Sequence, residues 1–326
     1  MNLTILISSA GRRVELINCF REDARALGIG LRILAADANP ALSAACVAAD
    51  GQFLVPRCDS DQYISRLLEI SARERVNLVI PTIDPELLPL ARARREFGQI
   101  GTHVVVSDLE MVTMARDKLR TATFLTQQGI PSPRTARLGD LLRDAADLQF
   151  PVILKRIDGS SSIGVHEARD LSQVVKLNLD VDNYIAQEKW FGREYTVNLF
   201  FDSDGRLRAT VPHLRMETRA GEVSKGRTER VPLLMDLAER LGAVLTGARG
   251  PLCFQSIVTA EGTGMIFELN ARFGGGFPLA HRAGAPFSRW LLEAAAVFPS
   301  SASDIWQEGL TMLRYDAAFF LPPTQP

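Results

Sequence analysis

The sequence predicts an α/β protein with an N-terminal lobe built on a parallel sheet, followed by an α+β part with antiparallel strands. Two observations predict this division. Over roughly the first hundred residues, short apolar runs alternate with amphipathic segments, the pattern of a parallel sheet covered by helices on both faces. Later, two apolar strands at 253–258 and 265–270 are joined by a short segment that turns at Glu261-Gly262-Thr263-Gly264, a connection that suits an antiparallel pair. The 326 residues leave room for two or three lobes.

Composition and charge exclude several classes of protein. The chain is 46% hydrophobic and 23% charged, and its 37 basic and 38 acidic side chains leave a net charge of −1. These values are typical of a globular protein and lack the basic excess of most nucleic-acid binders. No apolar window reaches the ~18 residues of a membrane helix, and the first arginines follow the N-terminal apolar run, the reverse of a signal peptide. We therefore expect a cytoplasmic protein with no nucleic-acid or membrane partner.

The cysteines and histidines predict neither a disulfide framework nor a zinc site. The four cysteines have no CxxC spacing, so free thiols in a reducing compartment are expected. The four histidines form neither HxxxH nor HExxH.

The N-terminal lobe is expected to contain five strands and three helices. Apolar runs predict strands at 3–8, 31–36, 52–55, 77–81 and 103–107, and helical spacing predicts helices at 14–27, 63–75 and 86–95. Ligands of such sheets bind beyond the carboxyl ends of the strands, where Arg12, Asp84 and Glu86 are candidate substrate-binding residues. Turn or cap chemistry would explain Asp84 without a ligand, and a solvated first helical turn would explain Arg12. The first strand exit, Ser9-Ala10-Gly11, lacks GxGxxG, so NAD is not expected.

The middle of the chain leads to a lysine followed by a flexible loop. Helices are expected at 108–128 and 138–148, with strands at 134–136 and 150–155. Lys155 ends the second strand, and the loop after it contains Ser160, Ser161, Ser162 and Gly164. Glycine lets backbone amides approach an anion and serine hydroxyls add donors, so lysine and loop together suit phosphate. A plain hairpin turn fits the same loop.

A strand, a short linker and a second strand are expected over 185–197. The linker residues Glu188, Lys189, Trp190 and Phe191 offer backbone groups between apolar side chains, an arrangement that suits an adenine ring. Glu194 lies where a carboxylate would accept hydrogen bonds from ribose hydroxyls. An ordinary hairpin with a surface glutamate is the alternative.

The polar segment at 212–226 is expected to be a long loop. It carries His213, Arg215, Arg219 and Lys225. Its arginines would bind a substrate carboxylate bidentately, whereas a solvated basic loop explains them without a ligand.

The antiparallel pair near the C-terminus carries candidate metal ligands. Glu268 and Asn270 are two residues apart and leave the same face of their strand, with Gln255 on the partner strand. Their oxygens suit Mg²⁺, and Arg272 would neutralise a transferring phosphoryl group. Gly275 lies in the tight turn that follows and is a candidate substrate contact. A solvent-exposed strand face is the alternative.

Together these features resemble the ATP-grasp superfamily, and most of all its branch around the carbamoyl-phosphate synthetase large subunit and biotin carboxylase. The resemblance runs from Leu3 to about Leu292 and rests on the order and spacing of Asp117-Lys118, Pro151-Val152-Ile153-Leu154-Lys155, the 158–165 loop, Gln187-Glu188-Lys189-Trp190-Phe191 with Gly192-Arg193-Glu194, and Phe267-Glu268-Leu269-Asn270-Ala271-Arg272. It implies a pre-ATP-grasp domain over 1–107 and a two-lobed ATP-grasp domain over 108–326, with a nucleotide-clamp lobe at about 116–188 and a catalytic lobe at about 189–326.

The resemblance also implies roles for these residues. Lys118 and Lys155 would hold the ATP phosphates beneath the 160–164 loop, the 188–191 linker would line the adenine, and Glu194 would bind the ribose. Glu268 and Asn270, with Gln255 nearby, would hold Mg²⁺ or Mn²⁺. The expected catalytic residues are Arg272, Lys155 and Arg215.

The implied reaction is that of a stand-alone carboxylate–amine ligase, because the sequence shows neither a second ATP-grasp half nor a biotinylation motif. Such an enzyme uses ATP to form an acyl phosphate and then an amide, releasing ADP and phosphate. Bicarbonate or carbamate phosphorylation and a nucleotide-binding regulatory protein without turnover are the alternatives. The expected partners are a small carboxylate and an amine. A homodimer through the 14–27 and 63–75 helices is also compatible with the sequence.

Overall fold

The computed structural model describes residues 1–143, 146–159 and 163–322. By internal contacts the chain divides into two compact units. The first comprises Met1–Val105 and Pro286–Ser301 with the C-terminal residues from Met312, and the second comprises Val106–Ala285 and Ala302–Thr311. The predicted mixture of a parallel sheet followed by antiparallel sheets is confirmed.

The first unit is built on a five-stranded sheet in the order β3-β2-β1-β4-β5, and all of its strand pairs are parallel. Its strands are β1 (Asn2–Ser8), β2 (Gly30–Asp37), β3 (Gly51–Leu54), β4 (Leu78–Pro81) and β5 (His103–Val104). Its helices are α1 (Val14–Leu27), α2 (Ala44–Ala48), α3 (Tyr63–Glu74), α4 (Leu87–Gln99) and α11 (Phe287–Ala295). β1 and β4 are neighbours at the point where the strand order reverses, which is where sheets of this kind bind ligands.

The second unit contains two antiparallel sheets. The smaller has the order β6-β9-β7-β8, with β6 (Thr135–Arg137), β7 (Val152–Arg156), β8 (His166–Ala168) and β9 (Tyr184–Glu188). The larger has the order β14-β13-β10-β11-β12-β15, with β10 (Arg193–Phe201), β11 (Leu207–Arg219), β12 (Glu222–Thr228), β13 (Gly250–Val258), β14 (Gly264–Asn270) and β15 (Thr311–Leu313). The helices are α5 (Leu109–Arg116), α6 (Lys118–Gln127), α7 (Leu138–Leu142), α8 (Leu171–Lys176), α9 (Pro232–Val244) and α10 (Phe277–Arg282).

The single helix predicted over 108–128 is wrong. Asp117 has an extended backbone between α5 and α6, and its carboxylate accepts the amide N–H groups of Leu119 and Arg120 at 2.9 and 3.0 Å. This N-cap starts a new helix, which places Lys118 in its first turn.

Two further sequence expectations are corrected. The helix predicted over 138–148 ends at Leu142, and the described part of the predicted range beyond it is not helical, although Leu148 still packs against the core. The long loop predicted over 212–226 is a hairpin of β11 and β12, whose turn residues Ala220 and Gly221 both have positive φ, at 50° and 76°. A two-residue hairpin turn of this hand matches the twist of the flanking strands, so the polar run folds as two paired strands.

Along β7 of the smaller sheet, residues that face the core alternate with residues that face the opposite side. Val152 and Leu154 of β7 are fully buried in a core that includes Leu138 of α7 and Val174 of α8. The alternate residues of β7 therefore project from the other face of the sheet, where the cavity described below lies. No helix among the described residues combines the length and apolar character that crossing a membrane requires.

Candidate functional site

A cavity of about 580 Å³ lies within the second unit, between its two sheets. Residues from β7, β9, β13, β14 and the β11–β12 hairpin line it. The sequence-predicted site residues in its lining are Lys118, Lys155, Glu188, Lys189, Trp190, Phe191, Glu194, Arg215, Gln255 and Glu268. The fold thus brings residues from distant parts of the chain around one space.

Lys155 is a buried cation with neutral acceptors. It is 7% exposed, and its Nζ donates to Gln187 Oε1 at 2.8 Å and to Phe267 O at 3.4 Å. Burial lowers the pKa of Lys155 to about 8, an effect that Glu268 opposes and Lys118 adds to. A buried ammonium with so little compensation favours an anionic ligand.

Lys118 brings a second positive charge to the cavity. It begins α6 and is 9% exposed, its Nζ donates to Gly159 O, and the same atom lies 3.7 Å from Glu268 Oε1. Gly159 also lines the cavity, so this donation fixes the backbone at the end of the described 146–159 range.

Gln187 is a site residue that the sequence did not predict. Gln187 lies opposite Ile153 in the β7–β9 register and faces the cavity with Lys155. Its Nε2 donates to Thr135 Oγ1 at 2.9 Å, and that hydroxyl donates to Pro133 O at 2.9 Å. Register would have revealed this contact, since Ile153 and Lys155 share one face of β7.

The linker after β9 forms the apolar end of the cavity. Glu188 Oε1 accepts the Gln149 amide at 2.9 Å, whereas Lys189 Nζ lies 2.5 Å from Glu167 Oε2 and 4.9 Å from the centre of the Phe191 ring. Phe191 is 64% exposed. The side-chain charges of this linker are engaged by the protein, as are the Glu188 and Lys189 amides, which donate to Arg134 O and Pro151 O at 2.9 Å each. The exposed Phe191 ring lines the cavity and is the group placed to face a ligand.

Gln255 and Glu268 lie directly opposite each other on β13 and β14, and both line the cavity. Asn270 lies opposite Cys253, and Arg272 Nη2 donates to Asn270 Oδ1 at 3.2 Å. Among the described residues, no three His, Cys, Asp or Glu side chains cluster as a metal site would require. One carboxylate with two amide oxygens nevertheless fits Mg²⁺, which keeps waters and shares phosphate oxygens.

Arg215 forms part of the cavity wall. Its Nε lies 2.9 Å from Glu194 Oε1, its Nη1 donates to Thr196 Oγ1 at 3.2 Å, and its Nη2 donates to Gly221 O at 3.1 Å. The guanidinium therefore connects the start of β10 to the turn of the β11–β12 hairpin. The pairing of β10 with β11 places Arg215 beside Glu194, a contact that was not predicted from the sequence.

The other residues of the predicted polar loop have different surroundings. His213 is fully buried, and its Nδ1 lies 3.1 Å from Asn198 Nδ2. A Cβ on Gly276 would lie 2.5 Å from His213 Nε2, so only glycine permits this approach. Arg219 is exposed, and Lys225 Nζ lies 2.6 Å from Glu217 Oε2.

At Gly275 an added Cβ would lie 2.6 Å from the carboxyl carbon of Glu222, which is the far end of a flexible side chain and could shift. Gly164 has φ of 70° and would place a Cβ 2.8 Å from Tyr184 Oη. The predicted phosphate-loop residues Ser160, Ser161 and Ser162 lie outside the described residues.

In the first unit, Glu86 is fully buried at the carboxyl ends of β1 and β4. Its Oε2 accepts from Tyr63 Oη at 2.5 Å and Ser9 Oγ at 3.0 Å, and its Oε1 accepts the Thr82 amide at 2.7 Å. Burial raises the pKa of Glu86, against the hydrogen bonds that lower it. These contacts hold the strand exits together. The second predicted acid, Asp84, is buried in the short turn Asp84–Glu86, and the predicted Arg12 is exposed.

Comparisons with known proteins agree with this architecture. Residues 5–105 match the PylC-like N-terminal domain, and residues 115–276 match the ATP-grasp domain. A carbamoyl-phosphate synthase from Methanobrevibacter smithii is 26% identical over 46% of this chain and 41% of its own length. A D-alanine–D-alanine ligase from Pseudomonas putida is 30% identical over 43% of this chain and 46% of its own length. The alignments thus span less than half of these two relatives.

A solved structure extends the comparison to nearly the whole chain. The biotin carboxylase domain of Hydrogenobacter thermophilus 2-oxoglutarate carboxylase, a dimer in complex with MgADP, ADP and bicarbonate, covers 94% of this chain and 73% of its own. It is 16% identical with a TM-score of 0.73, a likeness that shows the fold.

Proposed function

Because the chain belongs to the ATP-grasp superfamily, we propose that it is an ATP- and Mg²⁺-dependent carboxylate–amine ligase. The observation that carries the proposal is the convergence of Lys118 and Lys155 on one cavity beside Glu268. The D-alanine–D-alanine ligase relative supports a reaction between a carboxylate and an amine. The MgADP complex of the Hydrogenobacter domain supports nucleotide binding in this fold.

Two chemical steps make up the proposed reaction. A carboxylate oxygen of the acid attacks the γ-phosphorus of ATP, which forms an acyl phosphate and releases ADP. The amine nitrogen then attacks the carbonyl carbon, phosphate leaves, the nitrogen loses a proton, and an amide results. Positioning and charge neutralisation supply most of the acceleration in phosphoryl transfer.

The lysines and the linker would bind ATP in one orientation. Lys118 and Lys155 offer ammonium groups to the phosphates, while Trp190 and Phe191 lie at the end of the cavity that suits adenine. Glu194, in the cavity wall, would accept from the ribose hydroxyls. The 160–164 loop would cover the phosphates and keep water from the acyl phosphate.

Glu268, Asn270 and Gln255 are the residues that would hold Mg²⁺, and Mn²⁺ accepts the same oxygen ligands. The bound ion would neutralise phosphate charge and orient the triphosphate. Arg272, bonded to Asn270, would stabilise the charge on the transferred phosphoryl group.

The residues that select the acid and amine stay predictions. They comprise Arg12, Asp84, Glu86, His213, Arg215, Arg219, Lys225 and Gly275. The contacts of Arg215 with Glu194, Thr196 and Gly221 support a role in shaping the nucleotide wall more directly than a role in anchoring the acid. The domain boundaries at 107 and 188, a cytoplasmic location and a homodimer are also predictions.

Product analysis tests the proposal. The full chain is incubated with Mg²⁺ and ATP, first with pooled amino acids and separately with bicarbonate, and nucleotides and new masses are measured by chromatography and mass spectrometry. We expect ADP, phosphate and a condensed mass only when an acid and an amine are present. Lys155→Met serves as the inactive control for contaminating ATPases.

Two other outcomes would contradict the ligase assignment. ADP formation with bicarbonate alone would favour carbamate chemistry, the class suggested by the carbamoyl-phosphate synthase relative. Tight ATP binding without turnover across a broad panel of carboxylates would favour a nucleotide-binding regulatory protein.

A further inference from the structure

A chain of three hydrogen bonds runs from the edge of the smaller sheet to the buried lysine. Thr135 Oγ1 donates to Pro133 O, Gln187 Nε2 donates to Thr135 Oγ1, and Lys155 Nζ donates to Gln187 Oε1, at 2.9, 2.9 and 2.8 Å. Thr135 is on β6, Gln187 on β9 and Lys155 on β7, so the second and third bonds each link one strand to another, while Pro133 just precedes β6.

The donor and acceptor roles in this chain are fixed at both ends. A threonine hydroxyl has one proton, and that proton is directed at Pro133 O, so Oγ1 can only accept from Gln187. A charged lysine can only donate, so the amide oxygen must face Lys155. One orientation of the Gln187 amide satisfies both neighbours, and the flipped amide would place N–H groups against the ammonium.

The orientation of the Gln187 amide matters because Gln187 and Lys155 are both buried. Gln187 is 4% exposed and Lys155 is 7% exposed, so solvent cannot readily replace a lost partner. The charged groups that act on Lys155 are Lys118 and Glu268, of opposite sign. The Gln187 oxygen is thus the nearest acceptor that holds the ammonium in place, with Phe267 O at 3.4 Å as the second.

We infer that Thr135 is a positioning residue that, through the Gln187 amide, fixes the Lys155 ammonium for the phosphates of the nucleotide. The inference rests on the proposed function, because it assumes that the anion in this cavity is a nucleotide polyphosphate. Thr135 itself is not required to touch the ligand. Its hydroxyl acts on the ammonium indirectly, through the Gln187 amide and the two hydrogen bonds that this amide makes.

The test measures Mg·ADP affinity by calorimetry rather than turnover. Thr135→Val keeps the shape and removes the hydroxyl, whereas Thr135→Ser keeps the hydroxyl. We expect Thr135→Val to weaken ADP binding about three- to tenfold, the range for losing a hydrogen bond between neutral groups, here the Gln187 amide and the Thr135 hydroxyl. Thr135→Ser should keep affinity within about twofold of wild type.

A double variant separates positioning from general damage. In a Lys155→Met background, adding Thr135→Val should cause no further loss, because the ammonium that Thr135 positions is gone. Gln187→Met provides an independent break in the same chain and should weaken ADP binding as Thr135→Val does. It also keeps the inference testable if Thr135→Val does not fold.

Several results would overturn the inference. Wild-type affinity in both Thr135→Val and Gln187→Met would do so, as would equal losses in Thr135→Val and Thr135→Ser. A full additional loss in the Lys155→Met background would show that Thr135 acts elsewhere. If the wild-type chain bound neither ADP nor ATP, the proposed function would fail and this inference with it, a pattern distinct from the other three.

Discussion

Removal of the Lys155 charge should change the pH dependence of folding stability. The perturbation is Lys155→Met, which replaces the buried ammonium with an apolar side chain of similar length. Burial gives Lys155 a pKa of about 8 in the folded chain, against 10.5 for an unperturbed lysine. At pH 7 this difference corresponds to a cost of roughly 3 kcal/mol for burying the charge.

The same substitution removes the donor to Gln187 Oε1. An unsatisfied buried acceptor costs about 1–3 kcal/mol, so the two effects partly cancel at pH 7. We expect the ligand-free variant to be as stable as wild type or up to about 2 kcal/mol more stable, while binding ADP measurably but more weakly.

The pH dependence isolates the charge from the lost hydrogen bond. Below pH 8, Lys155 is protonated in both states and its burial destabilises the fold. Between about pH 8 and 10.5 the folded chain gives up the proton before the unfolded chain does, so wild-type stability rises with pH. Relative to Lys155→Met, wild type should gain roughly 2 kcal/mol between pH 7 and 9.5.

Urea unfolding followed by tryptophan fluorescence at several pH values measures this gain. Lys176→Met is the matched control, because Lys176 is an exposed lysine at the end of α8 and its removal should leave the wild-type profile unchanged. Parallel stability profiles for wild type and Lys155→Met would refute the reasoning, since they would mean that Lys155 carries no burial cost.

Three further predictions concern the metal ligand and the two cores. Glu268→Gln should reduce Mg-ATP turnover at least a hundredfold (about 2.7 kcal/mol in activation free energy) with an unchanged circular dichroism spectrum, and wild-type turnover would refute the metal assignment. Tyr63→Phe removes a donor to buried Glu86 and should lower the unfolding free energy by about 1–3 kcal/mol in urea titrations, whereas no change would show that the bond contributes nothing. Leu154→Ala should lower the unfolding free energy by about 2–5 kcal/mol in the same assay, because Leu154 lies in the core. Ile153→Ala, on the cavity face, should lower it clearly less, and equal losses would contradict the assigned faces.

The parallel sheet of the first unit was predictable because its signal is local. Strands such as β1 are continuous apolar runs, and α1 has both its apolar spacing and a terminating glycine, Gly28, in the left-handed conformation. The predicted bounds of α1 agree with the structure residue for residue. Apolar periodicity and helix-end residues are enough to predict an element when they lie within that element's own stretch of sequence.

Prediction failed where a single side-chain contact or an uncommon turn decided the structure. Helical spacing continues through Asp117, and only the capping of two amides by its carboxylate shows that a new helix begins there. The β11–β12 hairpin turns at Ala220–Gly221, and alanine with positive φ is not a residue that signals a turn. The contact of Arg215 with Glu194 and the place of Gln187 in the cavity were not predicted for a related reason, because both depend on strand register.

The position of the site lysine depends on the apolar core behind it. Successive residues of β7 alternate between the core, which takes Val152 and Leu154, and the cavity, which takes Ile153 and Lys155. A slip of one residue in the pairing with β9 would exchange the two sets, placing an ammonium in the core and two apolar side chains in the cavity. The cost of that exchange keeps the register unique, so the same alternation that stabilises the small sheet also holds a poorly solvated cation in the cavity. Thr135 and Gln187 then need only orient a charge whose location the core has already determined.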